Sequence, residues 1–471
     1  MKIVDHIYVN GEFIKPQGTE IFELISPVTN KAIGKVTLGN AADTQNAISS
    51  AKAAFKSFSK TTTEERIVYL EKMYGAVNKK KQELIDVMVE EYGGPVQFSS
   101  ASIEHALDSI SKNISLLQTF GFERKVGDSK VLLCPVGVAG IITPWNASNG
   151  FICSKLSTAI AAGCTSVIKP SEMSAMQTQL MAECLHEAGL PAGVFNIVNG
   201  LGAVVGAEIT RHPDVAKISF TGSTLVGKTI ARDGAETMKR ITLELGGKSP
   251  NIILNDANLA EAVPTSVALA YINSGQACIA ATRLLVPENK LKEVKELVKS
   301  TVANIKVGDP KCEDTNIGPM VSKKQYERVQ NYIKTGIKEG AEILIGGEGY
   351  PEGLETGNFV KPTVFSNVTN DMCIAREEIF GPVLSIITYK TEEEAIAIAN
   401  DTTYGLAAYI QTSDIEKAKQ VAAQLEAGRV SINGFKHDPQ TPFGGFKQSG
   451  IGREFGVYGL EEYLEPKAIL I

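Results

Sequence analysis

The chain has 471 residues, about three times the usual domain length, so two or three cores are expected rather than one bundle or sandwich. With 43% hydrophobic and 21% charged residues it can bury a large interior, which excludes wholesale disorder. Lys plus Arg at 47 against Asp plus Glu at 53 gives a net charge of -6, leaving no basic field for nucleic acid or an anionic membrane surface. The opening MKIVDHIYVN sets Asp5 and His6 where a signal peptide needs an apolar core, and no apolar run approaches the ~18 residues of a membrane span, so a cytoplasmic protein is expected.

In chain order, NAADTQNAISSAKAAFKSF and TTEERIVYLEKMYGAVNKKKQELIDVMVEEYGG carry helical spacing. The second opens on a Thr62…Glu65 capping box and closes on Gly93-Gly94, with Lys79-Lys80-Lys81 as a solvated face. From about residue 138 strand-like and helix-like runs alternate: VAGII, SKLSTAIAAG, TSVIK, SAMQTQLMAECLHEAG, VFNIV, GAVVGAEITRH, KISF, a helix from GSTLVGK, and ITLEL. That alternation predicts a parallel sheet with crossover helices, an α/β fold with a Rossmann-like core. After Gly246-Gly247 the pattern restarts with NIIL, LAEAVPTSVALAYINSG, TRLLV, a helix over 289–305, then PVLSIITY, AAYIQ and RVSIN. A second α/β domain is expected, with Gly-Gly-Lys-Ser-Pro as the hinge.

Three readings of two loops compete for a cofactor. GSTLVGKT (222–229) fits G-x-x-x-x-G-K-[ST] and taken alone reads as a nucleotide triphosphatase. It follows the fourth strand of its series rather than the first, lacks a convincing magnesium-binding Asp, and holds Leu225 and Val226 where a phosphate nest favours residues that reach φ > 0 cheaply. NGLGAVVG (199–206), with Gly202, is a near miss to G-x-G-x-x-G. The third reading makes Ser223 an N-cap and the helix start an anion site, with Gly222 and Gly227 allowing close approach.

The seven cysteines are widely spread, with no C-x-x-C pair, so disulfides and a metal site are not expected. Cys278, in N-S-G-Q-A-C, stands out because glycine and polar residues ahead of it suggest an exposed turn where a thiolate acts as nucleophile. Glu244, in L-E-L-G-G-K, is a candidate base with a pKa raised by its leucine flanks; it reads equally as a ribose-binding acid or a buried structural carboxylate.

Taken together, TPWN (143–146), KPSE (169–172), FTGS…G (220–227), ELGGKSP (244–250), GQAC (275–278), EEIFGPV (377–383), PFGGFKQSGIGRE (442–454) and GLEEYLEPK (459–467) resemble the aldehyde dehydrogenase superfamily over almost the whole chain. The resemblance implies Cys278 as nucleophile, Glu244 as base and Asn146 as oxyanion donor. It places Trp145, Lys169, Glu172, Gly202, Gly222, Ser223, Gly227, Glu378 and Phe380 around NAD, with NADP less favoured because Glu172 would face a 2′-phosphate. It implies a cofactor domain (1–112 and 136–246), a catalytic domain (247–446) and an oligomerisation element (113–135 and 459–471) in a homodimer or homotetramer. The activity implied is oxidation of a small-molecule aldehyde to an acid; a CoA-acylating enzyme is the alternative, disfavoured by Glu244. Ala147, Ser148, Asn149, Gly150, Phe151 and Ser154 depart from the family's apolar access tunnel and suggest a wider or more polar pocket. Phe435, Lys436 and His437 would face it, with a plain surface loop favoured for Lys436 and His437.

Overall fold

The computed structural model describes residues 1–470; Ile471, the last residue of the expected oligomerisation element, lies outside them. Five short strands come first, β1 (Lys2–Val4), β2 (Ile7–Val9), β3 (Glu12–Ile14), β4 (Ile21–Ile25) and β5 (Ala32–Thr37), then four helices, α1 (Ala41–Phe58), α2 (Thr63–Lys79), α3 (Lys81–Tyr92) and α4 (Val96–Leu117). After β6 (Glu123–Val126) and β7 (Ser129–Pro135), strands and helices alternate: β8 (Val138–Ile142), α5 (Ser148–Ala162), β9 (Thr165–Lys169), α6 (Ala175–Glu187), β10 (Phe195–Ile197), α7 (Ala207–Arg211), β11 (Val215–Thr221), α8 (Thr224–Ala235) and β12 (Arg240–Glu244). A second series holds β13 (Pro250–Ile253), α9 (Leu259–Ala270), β14 (Arg283–Pro287), α10 (Leu291–Ala303), α11 (Lys323–Lys338), β15 (Glu342–Ile345) and β16 (Thr363–Ser366). It continues with α12 (Cys373–Arg376), β17 (Val383–Tyr389), α13 (Glu392–Asn400), β18 (Ala407–Gln411), α14 (Ile415–Ala422) and β19 (Arg429–Ile432), and the last elements are β20 (Gly450–Ile451), α15 (Gly456–Glu461) and β21 (Leu464–Ile469).

β8 and β9 are buried along their whole length, as strands sandwiched between crossover helices must be, which is why they read as short apolar runs without alternation. The first large sheet has the order β20-β12-β11-β8-β9-β10-β2-β3, with β8 to β12 parallel. The chain enters at β8, winds out to β10 and returns on the far side of β8 with β11, so the crossovers reverse direction between β8 and β11. A crevice opens outside the carboxyl ends of strands at such a point, here beside Thr143 and Thr221. The second sheet, β15-β16-β17-β14-β13-β18-β19, is parallel except for β15 and likewise starts at a central strand, β13. A third sheet, β21-β7-β6, is antiparallel, and a fourth, β1-β5-β4, joins the amino-terminal strands.

The capping box at Thr62 and Glu65 is present, and Gly93 ends α3 in the left-handed region at φ 79°. The single helix expected between them is two, broken at Lys80, whose φ of -102° and ψ of 18° leave the helical region. The Lys79-Lys80-Lys81 stretch is not simply solvated: Lys80 turns against α6 and pairs with Glu187 at 2.9 Å, its side chain only 16% exposed. No glycine or proline marks the break, and the ion pair that fixes it joins distant residues. Residues 113–117 of the expected oligomerisation element are the last turn of α4, held to α5 by Asn113 Nδ2 donating to Ser157 Oγ at 2.8 Å. The glycine turn at 246–250 is buried throughout rather than loose. A Cβ on Gly247 would lie 2.3 Å from the Cys278 carbonyl oxygen, and Arg283 Nε donates to the Lys248 carbonyl at 3.0 Å. These glycines serve close packing, so the turn is a locked joint.

Candidate active site

Cys278 lies between α9 and β14, on a loop whose preceding residues Asn273, Ser274 and Gly275 all take left-handed φ, at 52°, 58° and 74°. Only glycine fits the third: its Cβ would sit 2.2 Å from the Gly381 carbonyl. The loop is anchored by Gly318 N donating to Ser274 Oγ at 2.9 Å and by Val321 N donating to Gln276 Oε1 at 2.9 Å. Asn146, just past β8, donates from Nδ2 to the Gln276 carbonyl at 3.0 Å, which sets the amide's orientation and leaves its second N–H for the cleft.

Glu244 ends β12 and is 2% exposed, with no hydrogen-bond partner for either carboxylate oxygen. Burial, then the charge of Glu454, holds its carboxyl well above the usual range. Cys278 is half-buried at the cleft floor. Burial, then the Glu378 and Glu244 carboxylates, pushes its thiol up, while the Cys278 and Ile279 backbone N–H groups favour the thiolate. Burial thus favours the neutral, protonated form of both groups.

An open cleft of about 200 Å³ collects Trp145, Asn146, Gly222, Ser223, Glu244, Cys278, Glu378 and Phe380. Glu378 Oε1 accepts from Gly247 N at 3.0 Å, and burial pushes its carboxyl up to about 7. Trp145 sits between Tyr92 and Phe380, at ring distances of 5.7 and 5.5 Å. Lys169, Glu172, Gly202 and Gly227 do not line this cleft. Lys169 ends β9, is 5% exposed and donates to Glu172 Oε2 at 3.1 Å; Glu172 opens a short 3-10 turn capped by Ser171. Gly202 opens a π-helical turn into free space. Ser223 caps α8 as expected, accepting from Val226 N. Gly222 and Gly227 have another reason than ligand approach: their Cβ positions are 2.4 Å from the Phe220 ring and 2.5 Å from Leu245 Cδ2. Glycine there lets α8 settle on β11 and β12. Lys228, the would-be P-loop lysine, donates to Gln448 Oε1 at 2.9 Å, and Leu225 is 78% exposed.

The expected polar pocket takes another form. Ser148 and Asn149 are wholly buried and absent from the cleft lining, and Ser154 Oγ donates to the Phe151 carbonyl, so of this stretch only Phe151 joins Asn146 in the wall. Lys436 is exposed, but His437 leaves the surface to stack on His105 of α4 at 4.3 Å, edge-on to Phe455 at 5.7 Å. Among the described residues no three His, Cys, Asp or Glu side chains group as a metal site, and no helix is long and apolar enough to cross a membrane.

The sequence model of the Aldehyde dehydrogenase family matches residues 13–469. The chain belongs to the aldehyde dehydrogenase family. It is 45% identical to 3-succinoylsemialdehyde-pyridine dehydrogenase of a Pseudomonas species, over 100% of this chain and 99% of that one. A cysteine-to-alanine mutant of Aldehyde Dehydrogenase C from Pseudomonas syringae, solved with NAD+ and octanal, superposes with a TM-score of 0.98 at 44% identity, covering 99% and 96% of the two chains. Betaine aldehyde dehydrogenase from Staphylococcus aureus, solved with NAD+, superposes with a TM-score of 0.96 at 35% identity, covering 99% and 94%. This aldehyde dehydrogenase is therefore an aldehyde-oxidising oxidoreductase with the family's α/β architecture.

Three residues around the site escaped sequence reasoning. Gln325 and Arg328 reach the cleft from α11, and Tyr92 reaches the cysteine loop from α3. The Ser322 cap and the apolar positions 326, 329 and 333 were a legible helix signal for α11. No local signal marks Tyr92.

Proposed function

We propose that the enzyme oxidises an aldehyde to its carboxylic acid with NAD, using Cys278 as nucleophile, Asn146 as oxyanion donor and Glu244 as hydrolytic base. What carries this reading is one juxtaposition: the Cys278 thiol, the Asn146 amide with a spare N–H, and a buried Glu244 carboxyl whose oxygens are free, all on one cleft. Cys278 sulfur attacks the aldehyde carbonyl carbon, and its proton passes to Glu244 and on to solvent, which returns the carboxyl to its carboxylate form. The developing alkoxide is held by Asn146 Nδ2 and the Cys278 N–H; one such donor is worth about 10²–10³ in rate. Bound in the cleft, the dinucleotide supplies the hydride acceptor that leaves an acyl group on sulfur. Glu244 then takes a proton from water as it attacks the acyl carbon, and the acid leaves with Cys278 regenerated. That last role also favours hydrolysis over acyl transfer to a second thiol.

The residues fit a dinucleotide. The crevice at the carboxyl ends of β8 and β11 and the uncovered first turn of α8 suit a pyrophosphate; Gly202 leaves open space nearby. Trp145, Gly222, Ser223, Glu378 and Phe380 would hold its nicotinamide half and phosphates, and Lys169 with Glu172 its adenosine ribose. Glu172, already paired with Lys169, would oppose a 2′-phosphate, so NAD should exceed NADP in kcat/KM. We assign cofactor binding to the first sheet system and the thiol to the second. β6 and β21 each pair only with β7, leaving outer edges for a second copy, and a homodimer or homotetramer in sedimentation is the expected state.

The deciding experiment is Cys278→Ala. It should abolish NADH formation from a panel of aliphatic, aromatic, amino and hydroxy aldehydes while dinucleotide binding persists. Substantial turnover would overturn the mechanism.

A further inference from the structure

Tyr92 is the last residue of α3 and is 1% exposed, yet its hydroxyl is engaged on both sides. It donates to Asn273 Oδ1 at 2.8 Å and accepts from Gln276 Nε2 at 3.2 Å. Those two residues grip Asn146 at both ends. Asn273 Nδ2 donates to the Asn146 carbonyl at 3.2 Å and to the Gln276 carbonyl at 3.0 Å, while that same Gln276 carbonyl receives Asn146 Nδ2. Phenylalanine would pack equally well against Met88, Val321 and Trp145, and it would spare the molecule the burial of a hydroxyl. What tyrosine adds is the fixing of two amide side chains. Without it Asn273 and Gln276 lose a buried partner each, and Asn273, at φ 52°, holds a backbone conformation that its side-chain bonds must sustain.

We propose that Tyr92 is a positioning residue for the oxyanion site: its hydroxyl locks Asn273 and Gln276, which together aim the Asn146 amide into the cleft. This rests on the reading of Asn146 as the oxyanion donor.

The test uses the full-length enzyme and compares Tyr92→Phe, Asn146→Ala and the double variant. Tyr92→Phe should lower the NADH burst rate and kcat/KM for aldehyde by roughly tenfold to a hundredfold, between a misplaced and an absent donor, with the Kd for NAD unchanged. Iodoacetamide alkylation of Cys278, which develops no oxyanion, should keep its parental rate. In the Asn146→Ala background, Tyr92→Phe should add less than about twofold, because the group it aims has gone. Asn273→Gly, which suits the positive φ and cuts the same link, should give the same pattern and carries the test if Tyr92→Phe does not fold. Full activity in Tyr92→Phe, an additive double variant, or alkylation falling in step with oxidation overturns the positioning role. An active Asn146→Ala overturns instead the reading of Asn146.

Discussion

Glu244, the hydrolytic base of the proposed reaction, is buried without a hydrogen-bond partner. Both its oxygens are free and buried, and a Cβ on Gly444 would approach one of them to 2.8 Å, so the backbone closes round the carboxyl without bonding it. Desolvation raises its pKa, and a base nearer neutrality removes a proton from water more readily than an ordinary carboxylate. Turnover limited by hydrolysis should therefore go on rising with pH beyond the range in which an ordinary carboxylate has already ionised, as this group loses its proton. Glu244→Gln should remove that rise, form NADH in a single burst and stall with an acyl group on Cys278 visible by intact mass. Steady turnover at the parental rate would dismiss Glu244 as the base; weakened NAD binding would favour a ribose-binding role. Cys278 and Glu244 were legible in the sequence because each sits beside glycines at a break between periodic runs. Tyr92 was not, because its partner Asn273 is 181 positions away and nothing in E-E-Y-G-G distinguishes a buried hydroxyl from an ordinary helix-end aromatic.

At the scale of elements, the parallel strands and crossover helices were readable because burial on both faces leaves apolar runs, while helices expose a periodic polar face. The three-residue strands β1, β2 and β3 were not, being too short for an alternation of period two to declare itself. α4 was missed because its buried face is mixed, with Ser99, Ser102, Ser109 and Asn113 interleaved among Ile103, Ala106, Leu107, Ile110 and Leu117. The turn joining the two large sheets shows how a glycine signal misleads: Gly246 and Gly247 suggest freedom, whereas both are demanded by contact. A Cβ on Gly246 would meet Glu378 Oε2 at 2.6 Å, and one on Gly247 the Cys278 carbonyl at 2.3 Å. The second neighbour is backbone and cannot rotate away. Gly247→Ala should therefore push the nucleophile loop from Glu378 and Asn146, costing about 1–3 kcal/mol by overpacking. The expected result is a lower Tm together with a slowed NADH burst, although no reacting group has changed; parental burst kinetics would show that the loop has room to yield.

Across the whole molecule, the two sheet systems meet over a set of buried ionisable groups, and these make stability depend on pH in opposing ways. Glu91, on α3, accepts from Met176 N and Gln177 N at the start of α6, yet burial pushes its carboxyl up to about 7. Unfolded, it would release its proton near pH 4.3, so between that value and about 7 the folded chain binds the extra proton and stability falls as pH rises. Lys248, in the joint between the sheets, is 1% exposed and its ammonium has no hydrogen-bond partner among the described residues. Burial, reinforced by the buried Arg283 guanidinium, pushes it down to about 7. Unfolded, it keeps its proton to about pH 10.4, so across that window the unfolded chain holds one proton more and stability rises with pH, by up to about 1.4 kcal/mol per unit. Lys248→Met keeps the apolar stem and removes the titrating end. Following the denaturation midpoint from pH 6 to 10 should show the parent gaining on the variant as pH rises, with the variant ahead at pH 6, where the parent buries an unpaired charge. Parallel curves for the two proteins would mean that Lys248 keeps its proton in the folded chain as in the unfolded one, its charge compensated by a partner or by water.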